Sequence, residues 1–216
     1  LLVITPSNGA RKFPTVTFTD KQTGNMEQYT ATSATGCQPV GIQGDEPRAE
    51  SCSQVQFAVP QDGLAVGDHR VNITNPTPAA CTSVGQSGNP NDEVLYTVVP
   101  PPTLASINPQ LSCVEQGDKQ FTIDGSDFLR VGGSGGSEPT VTVNNSTFQA
   151  SVVDSSCTDM ADVPQKTEQC SKLTFTIPQG AVAPGGHKVV RKLPTPADCD
   201  SSSSLTLLIN PPPTVA

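Results

Sequence analysis

The sequence predicts an all-β chain: two tandem antiparallel sandwiches, the first lacking its own opening strand. Three observations carry this. Cys52–Cys81 and Cys170–Cys199 have equal length and are identical at 14 of 30 ungapped positions, and self-similarity at the spacing of one small domain marks tandem copies of a module. Apolar or β-branched residues alternate with polar ones in Thr15–Thr19, Gln54–Val59, Thr140–Val143 and Lys172–Ile177, the period of half-buried strands. No helical stripe of useful length appears, and Gly, Pro, Asn and Asp clusters punctuate the strands, as in a sandwich of short antiparallel strands.

The copies divide the 216 residues. The first occupies 1–99 and is incomplete, Pro100–Pro102 is a joint, the second copy fills 103–210, and 211–216 starts a further linker. Leu2–Asn8 aligns with Phe121–Asp127, so nothing ahead of Leu1 matches Thr103–Lys119. The tail Pro211–Ala216 repeats the pattern of Pro100–Ala105, so the chain stops where a third copy would begin. Triprolyl joints are stiff, extended spacers, which suits a rod.

Composition sets the compartment. Hydrophobic residues make up 34% of the chain and aromatics 4%, with no Trp. Cores this thin usually need staples, and seven cysteines supply them. Such usage points to an oxidising, extracellular or cell-surface location. The net charge of −8, with few scattered Lys and Arg, argues against nucleic-acid binding and a basic membrane patch. No apolar run is long enough to span a bilayer. Asn72, Asn144 and Asn145 head N-glycosylation sequons, so covalently attached glycans are an expectation for a eukaryotic source.

Several segments resemble one family. Leu104-Ala-Ser-Ile-Asn-Pro109, Gln120-Phe-Thr-Ile-Asp-Gly-Ser-Asp-Phe128, Pro139-Thr-Val-Thr-Val143 and Ile177–Val189 resemble an IPT/TIG domain, the immunoglobulin-like module of plexins, some transcription factors and many surface proteins. The resemblance implies a seven-strand sandwich. It places A, B, C, C′, E, F and G of the second copy at 103–109, 119–124, 139–144, 147–153, 171–177, 186–192 and 204–209. In the first copy it places B, C, E, F and G at 1–5, 14–19, 53–59, 67–74 and 93–99. Within that frame the repeat pairs Cys37 with Cys52 and Cys157 with Cys170 across the C′–E excursions. Cys113, after strand A, is assigned to Cys199 in the F–G loop. Cys81 is left unpaired in the chain, because its partner would lie on the absent strand A; the alternative is a free or intermolecular thiol.

Candidate chemistry is sparse. His69 and His187, the only histidines, hold one repeat position at the entrance to strand F. There a ring can tie the E–F corner, as a tyrosine does in immunoglobulin-like folds. Asp154, Asp159 and Asp162 cluster locally but fit no calcium-loop pattern, and no Cys/His spacing forms a metal site. Gly132–Gly136 lacks the lysine and the helix of a phosphate loop. No catalytic constellation emerges, and no metal or cofactor is called for. The expected function is structural or adhesive: a building block of a filament, pilus-like fibre or surface coat, partnered by copies of itself or adjacent repeats. Leu1, Leu2, Val3 and Ile4 would flank, together with strand G, an open-edge groove filled by an external strand, or act as a donor strand themselves. The alternative is a receptor ectodomain or carbohydrate-binding accessory module, against which the scarcity of aromatics counts.

Overall fold

The computed structural model describes residues 1–6, 9–41, 48–83, 94–113, 117–133, 135–160, 163 and 166–213. They form two compact units, Leu1–Val98 and Val99–Ala216. Among the described residues the only helical element is one 3-10 turn, Asp154–Ser156, and the rest of the regular structure is strand.

The second unit contains β8 (Thr103–Asn108), β9 (Leu111–Ser112), β10 (Lys119–Val131), β11 (Thr140–Val143), β12 (Ser146–Val152), β13 (Cys157–Asp159), β14 (Thr167–Ile177), β15 (Gly185–Lys192) and β16 (Leu205–Ile209). They form one continuous sheet ordered β8-β10-β14-β12-β11-β15-β16-β9, with β13 on β14. The two layers join through β12. Its start pairs with β11 and its end, from Ala150, pairs with β14. Strand A is split: β8 lies antiparallel on β10, while β9 crosses to the other layer and runs parallel beside β16. Inward residues from both layers meet in one core, including Phe121, Ile123, Val141, Leu173, Phe175, Ile177, Val189 and Leu207.

The first unit contains β1 (Leu2–Thr5), β2 (Thr15–Asp20), β3 (Met26–Thr30), β4 (Ser33–Val40), β5 (Arg48–Gln56), β6 (Gly67–Thr74) and β7 (Leu95–Val98). They form two sheets, β1-β5-β4 and β3-β2-β6-β7. The alternation read in Thr15–Thr19 is real: β2 buries Val16 and Phe18 and leaves the intervening threonines half-buried. Strands β3 and β4 occupy the stretch between strands C and E of the first copy, where the sequence had placed no strand. Met26–Thr30 is largely exposed and polar, and backbone pairing rather than burial holds it to β2.

The structure corrects the register of the first copy. Leu1 O accepts from Cys52 N, and Leu2, Val3 and Ile4 face Ser51, Glu50 and Ala49. In the second unit Phe128, Leu129, Arg130 and Val131 face Cys170, Gln169, Glu168 and Thr167. Both stretches end in one more antiparallel bridge, Ile4–Lys12 and Val131–Ser137. Leu1–Ile4 therefore matches Phe128–Val131, the end of strand B, and not the beginning of that strand. Val3 and Ile4 are buried. The first unit thus has no counterpart, among its described residues, of β8 or of the first nine residues of β10.

Two disulfides join facing strands, Cys37–Cys52 across β4–β5 and Cys157–Cys170 across β13–β14. Each closes a loop worth about 3 kcal/mol in the chain-entropy account. The expected Cys113–Cys199 bond is absent, and all three remaining cysteines are free. The reason is the split of strand A. Cys113 follows β9, whose Ser112 O accepts from Asn210 N, beside the Gly185 end of β15. Cys199 lies past the other end of β15, where its carbonyl accepts from Leu193 N. Eight residues of extended strand separate the two ends, roughly 26 Å, whereas a disulfide needs Cα atoms within about 7 Å. Cys199 is free in the unit that has strand A, so a missing strand A does not account for the free Cys81.

Candidate functional site

In the second unit, β14 is covered along its whole length by β10, from Lys119–Ile177 to Val131–Thr167. Leu173, Phe175 and Ile177 are 0–3% exposed. Cys52 occupies the place of Cys170, so Val55, Phe57 and Val59 are the corresponding residues of the first unit. There β5 has β1 beside it only as far as Ser51, together with the Leu1–Cys52 bond. Beyond that point, no described strand lies on that side. Val55 and Phe57 are half-buried and Val59 is 36% exposed.

The facing sheet shows the same opening. His69 pairs with Tyr96 as His187 pairs with Leu207, yet Leu207 is 0% exposed and Tyr96 50%. In the second unit β9 guards the edge of β16, and β7 has no such neighbour among the described strands. Phe18 lies between the open walls. Its ring meets Tyr96 edge-on at 5.5 Å, Phe57 at 5.7 Å and Tyr29 at 5.9 Å. Phe57 and Tyr96 thus meet at the buried Phe18, and this partly open apolar edge, with half-buried Val55 and exposed Val59 on strand E, is the groove of the first unit. In the second unit, Leu104, Ile107, Phe121 and Ile123 fill the matching space. Burying four such side chains is worth about 1.5–3 kcal/mol each.

Of the residues expected at the groove, Leu1 is 36% exposed and Leu2 half-buried, whereas Val3 and Ile4 belong to the core. Tyr96 lies on strand G, beside which the groove was expected, whereas Val55, Phe57 and Val59 were not singled out for it. The signal was present: Val55-x-Phe57-x-Val59 repeats Leu173-x-Phe175-x-Ile177, and only the covering strand differs.

The other singled-out residues do not converge on a site. His69 Nε2 bonds to Ala65 O at 2.8 Å, and His187 Nε2 to Ala183 O at 2.7 Å, so both rings tie the E–F corner. Asp154 bonds to Arg130 at 2.6 Å. Arg130 also faces Glu138 and Glu168, and Glu168 first and then Asp154 raise its pKa. Asp159 lies on β13, and Asp162 and Ser134 of the glycine-rich turn lie outside the described residues. Among the described residues no group of His, Cys, Asp and Glu could hold a metal ion. Asn72 lies on β6, and Asn144 and Asn145 form the exposed β11–β12 turn, Asn144 at φ 57°. Arg191 is wholly buried over the Phe128 ring at 4.4 Å, and among the described residues none of its side-chain nitrogens finds a hydrogen-bond acceptor.

Comparison with protein families matches the IPT/TIG domain to residues 102–209. Comparison with curated proteins gave no match. Among the described residues, no helix is long and apolar enough to cross a membrane.

Proposed function

The chain belongs to the IPT/TIG domain family, and from that premise we propose that it is a structural building block of an extracellular or surface assembly. In this reading the first unit is completed from outside residues 1–216 by a β-hairpin of the same module type, patterned like Thr103–Asp127. The observation that carries it is the partly open stretch Val55-x-Phe57-x-Val59 beside the exposed Tyr96, where the second unit holds buried counterparts next to its own hairpin. An unpaired edge with apolar side chains invites strand addition. Main-chain bonds to β5 and burial of the groove then act together. A repeated module that receives a hairpin from its neighbour propagates in one direction, which is the logic of a fibre. The sequons at Asn72 and Asn144–Asn145 fit glycans on a surface coat.

The test uses the intact chain and a labelled peptide spanning residues 103–127. Stoichiometric binding should protect Ser53–Val59 amides from hydrogen exchange and raise the unfolding temperature of the first unit. Electron microscopy of the native material should show fibres. A peptide that neither binds nor protects that stretch, with discrete particles in the microscope, would refute the proposal.

A further inference from the structure

Strands β11 and β12 are joined by a tight turn. Val143 pairs with Ser146, and Asn144 and Asn145 lie between them. The two asparagines are not equivalent. Asn144 is held by the backbone: its φ is 57°, and its N–H donates to Lys188 O at 2.9 Å. Asparagine tolerates this left-handed conformation better than most residues, so the fold accounts for its identity. Asn145 has no such role. It is exposed, its φ is negative, and among the described residues its side chain has no hydrogen-bond partner. It heads the sequon Asn145-Ser-Thr147, which ends on threonine, whereas Asn144-Asn-Ser146 ends on serine. The third sequon is placed differently. Asn72 is half-buried inside β6, opposite Thr17 of β2. On the other side of β6, Ile73 N donates to Ser83 Oγ at 2.8 Å and Thr74 bridges to Thr82. Chain therefore flanks that sequon on both sides.

We propose that Asn145 is the asparagine of this chain that carries an N-linked oligosaccharide. This rests on the extracellular reading above, because the donor is met on the secretory route. The donor is a polyprenyl-diphosphate-linked oligosaccharide, presented by a membrane transferase. Asn145 Nδ2 forms a bond to the anomeric carbon, and the bond from that carbon to the diphosphate oxygen breaks. The amide gives up one proton to a base of the transferase, and the lipid diphosphate leaves. No oxidant or reductant takes part. The turn suits this step because the transferase must surround its acceptor. Asn145 projects beyond the last pair, Val143–Ser146, and is reached without unpairing β11 from β15 or β12 from β14. A glycan is bulky, so one at Asn145 excludes a second at Asn144. In the sheet order β8-β10-β14-β12-β11-β15-β16-β9, the strands that this turn joins are interior. The glycan therefore leaves the edge strands uncovered and does not compete with strand addition.

The full chain, secreted from a eukaryotic host, is treated in heavy-oxygen water with an amidase that releases N-glycans. Each asparagine that carried a glycan becomes a labelled aspartate. Peptide mapping should find the label at Asn145, and not at Asn144 or Asn72. Variants separate the two neighbours. Asn144→Gly keeps a residue suited to positive φ and should retain the glycan. Asn145→Gln leaves Asn144-x-Ser146 intact as a sequon and should lose the glycan from this peptide. Thr147→Val also leaves the Asn144 sequon intact and should lose it as well. Label at Asn144, a glycan retained in Asn145→Gln, a main product at Asn72, or a bare chain overturns the inference. None of those outcomes bears on whether fibres form. Native material, mapped in the same way, should show the same site. If it is bare at Asn145 while the host-made chain is modified, the inference falls together with the extracellular reading beneath it.

Discussion

Strand E of the two units carries one motif in two environments. In β14, Leu173, Phe175 and Ile177 are buried, with β10 and then β8 continuing the sheet beside them. In the first unit, Val55, Phe57 and Val59 face a groove. The consequence extends through each core. Among the described residues, the second unit buries hydrophobics from Leu104 to Ile209 on both layers, and the first buries Val3, Ile4, Val16, Phe18, Ala31 and Cys52. The same strand pattern is therefore core in one unit and partly open in the other. What decides is whether a neighbouring hairpin covers it. The units also differ inside. Arg130 and Arg191 are buried where the first unit has Val3 and Ile73, as the pairs Val3–Glu50 and Arg130–Glu168, and Val16–Ile73 and Val141–Arg191, establish.

The sharpest break of this comparison is truncation of the shared phenylalanine. Phe175 is 3% exposed and stacks on Phe121 at 5.4 Å, so Phe175→Ala should cost the second unit about 3–5 kcal/mol. Phe57→Ala removes a ring already half in water and should cost the first unit well under half of that. Denaturation followed by hydrogen exchange, resolved by unit, measures both. Equal losses would mean that the groove is closed in solution.

The next effect runs the other way. Burial drives the Arg191 pKa down to about 9, which still leaves the guanidinium charged at neutral pH. Asp127 and Glu138 act on it only through their charge, and among the described residues no acceptor reaches its nitrogens. The contact with Phe128 returns only about 0.5–2 kcal/mol. Arg191→Ile installs the residue that the first unit uses at that place. The change should stabilise the second unit by about 1–4 kcal/mol, as replacement of buried charges by apolar residues often does. A urea titration of the variant would show a higher midpoint for that unit and an unchanged one for the first.

Much of this architecture was legible in the sequence because it depends on local pattern. The period-two runs, the paired cysteines flanking each C′–E excursion, and the histidine at the F-strand entrance each encode their role within a few residues. The register of Leu1–Ile4 was not. Ile4-Thr-Pro-Ser-Asn8 looks like Ile123-Asp-Gly-Ser-Asp127, and the true offset differs from that alignment by eight residues. An even slip keeps every side chain on its original face, so alternation cannot reveal it. Strand β9 was equally silent. Two residues generate no pattern, yet their parallel pairing with β16 carries Cys113 to the pole opposite Cys199. The groove followed from both, since it is defined by strands that cover one unit and not the other.

The smallest expected effect is a pH dependence confined to the first unit. Asp20 ends β2 opposite His69, and its carboxylate accepts from the backbone N–H of Thr23 at 2.7 Å and of Gln22 at 2.8 Å. These bonds, Thr23 first, hold its pKa below the ordinary carboxylate value despite the opposing effect of burial. The second unit turns back earlier, through Asn144–Asn145, and has an amide where this carboxylate would stand. A depressed carboxylate pKa stabilises the fold fully above the unfolded-state value of about 3.9 and loses that contribution as pH falls through the folded-state value. The first unit should therefore weaken below about pH 4 relative to Asp20→Asn, which keeps an acceptor for Thr23 but cannot titrate. Above about pH 5 the wild-type unit should be the more stable of the two. Urea midpoints at both pH values, with the Asp20 carboxyl followed by NMR, check the sign. If Asp20→Asn left the acid sensitivity of the first unit unchanged, Asp20 would not be its source.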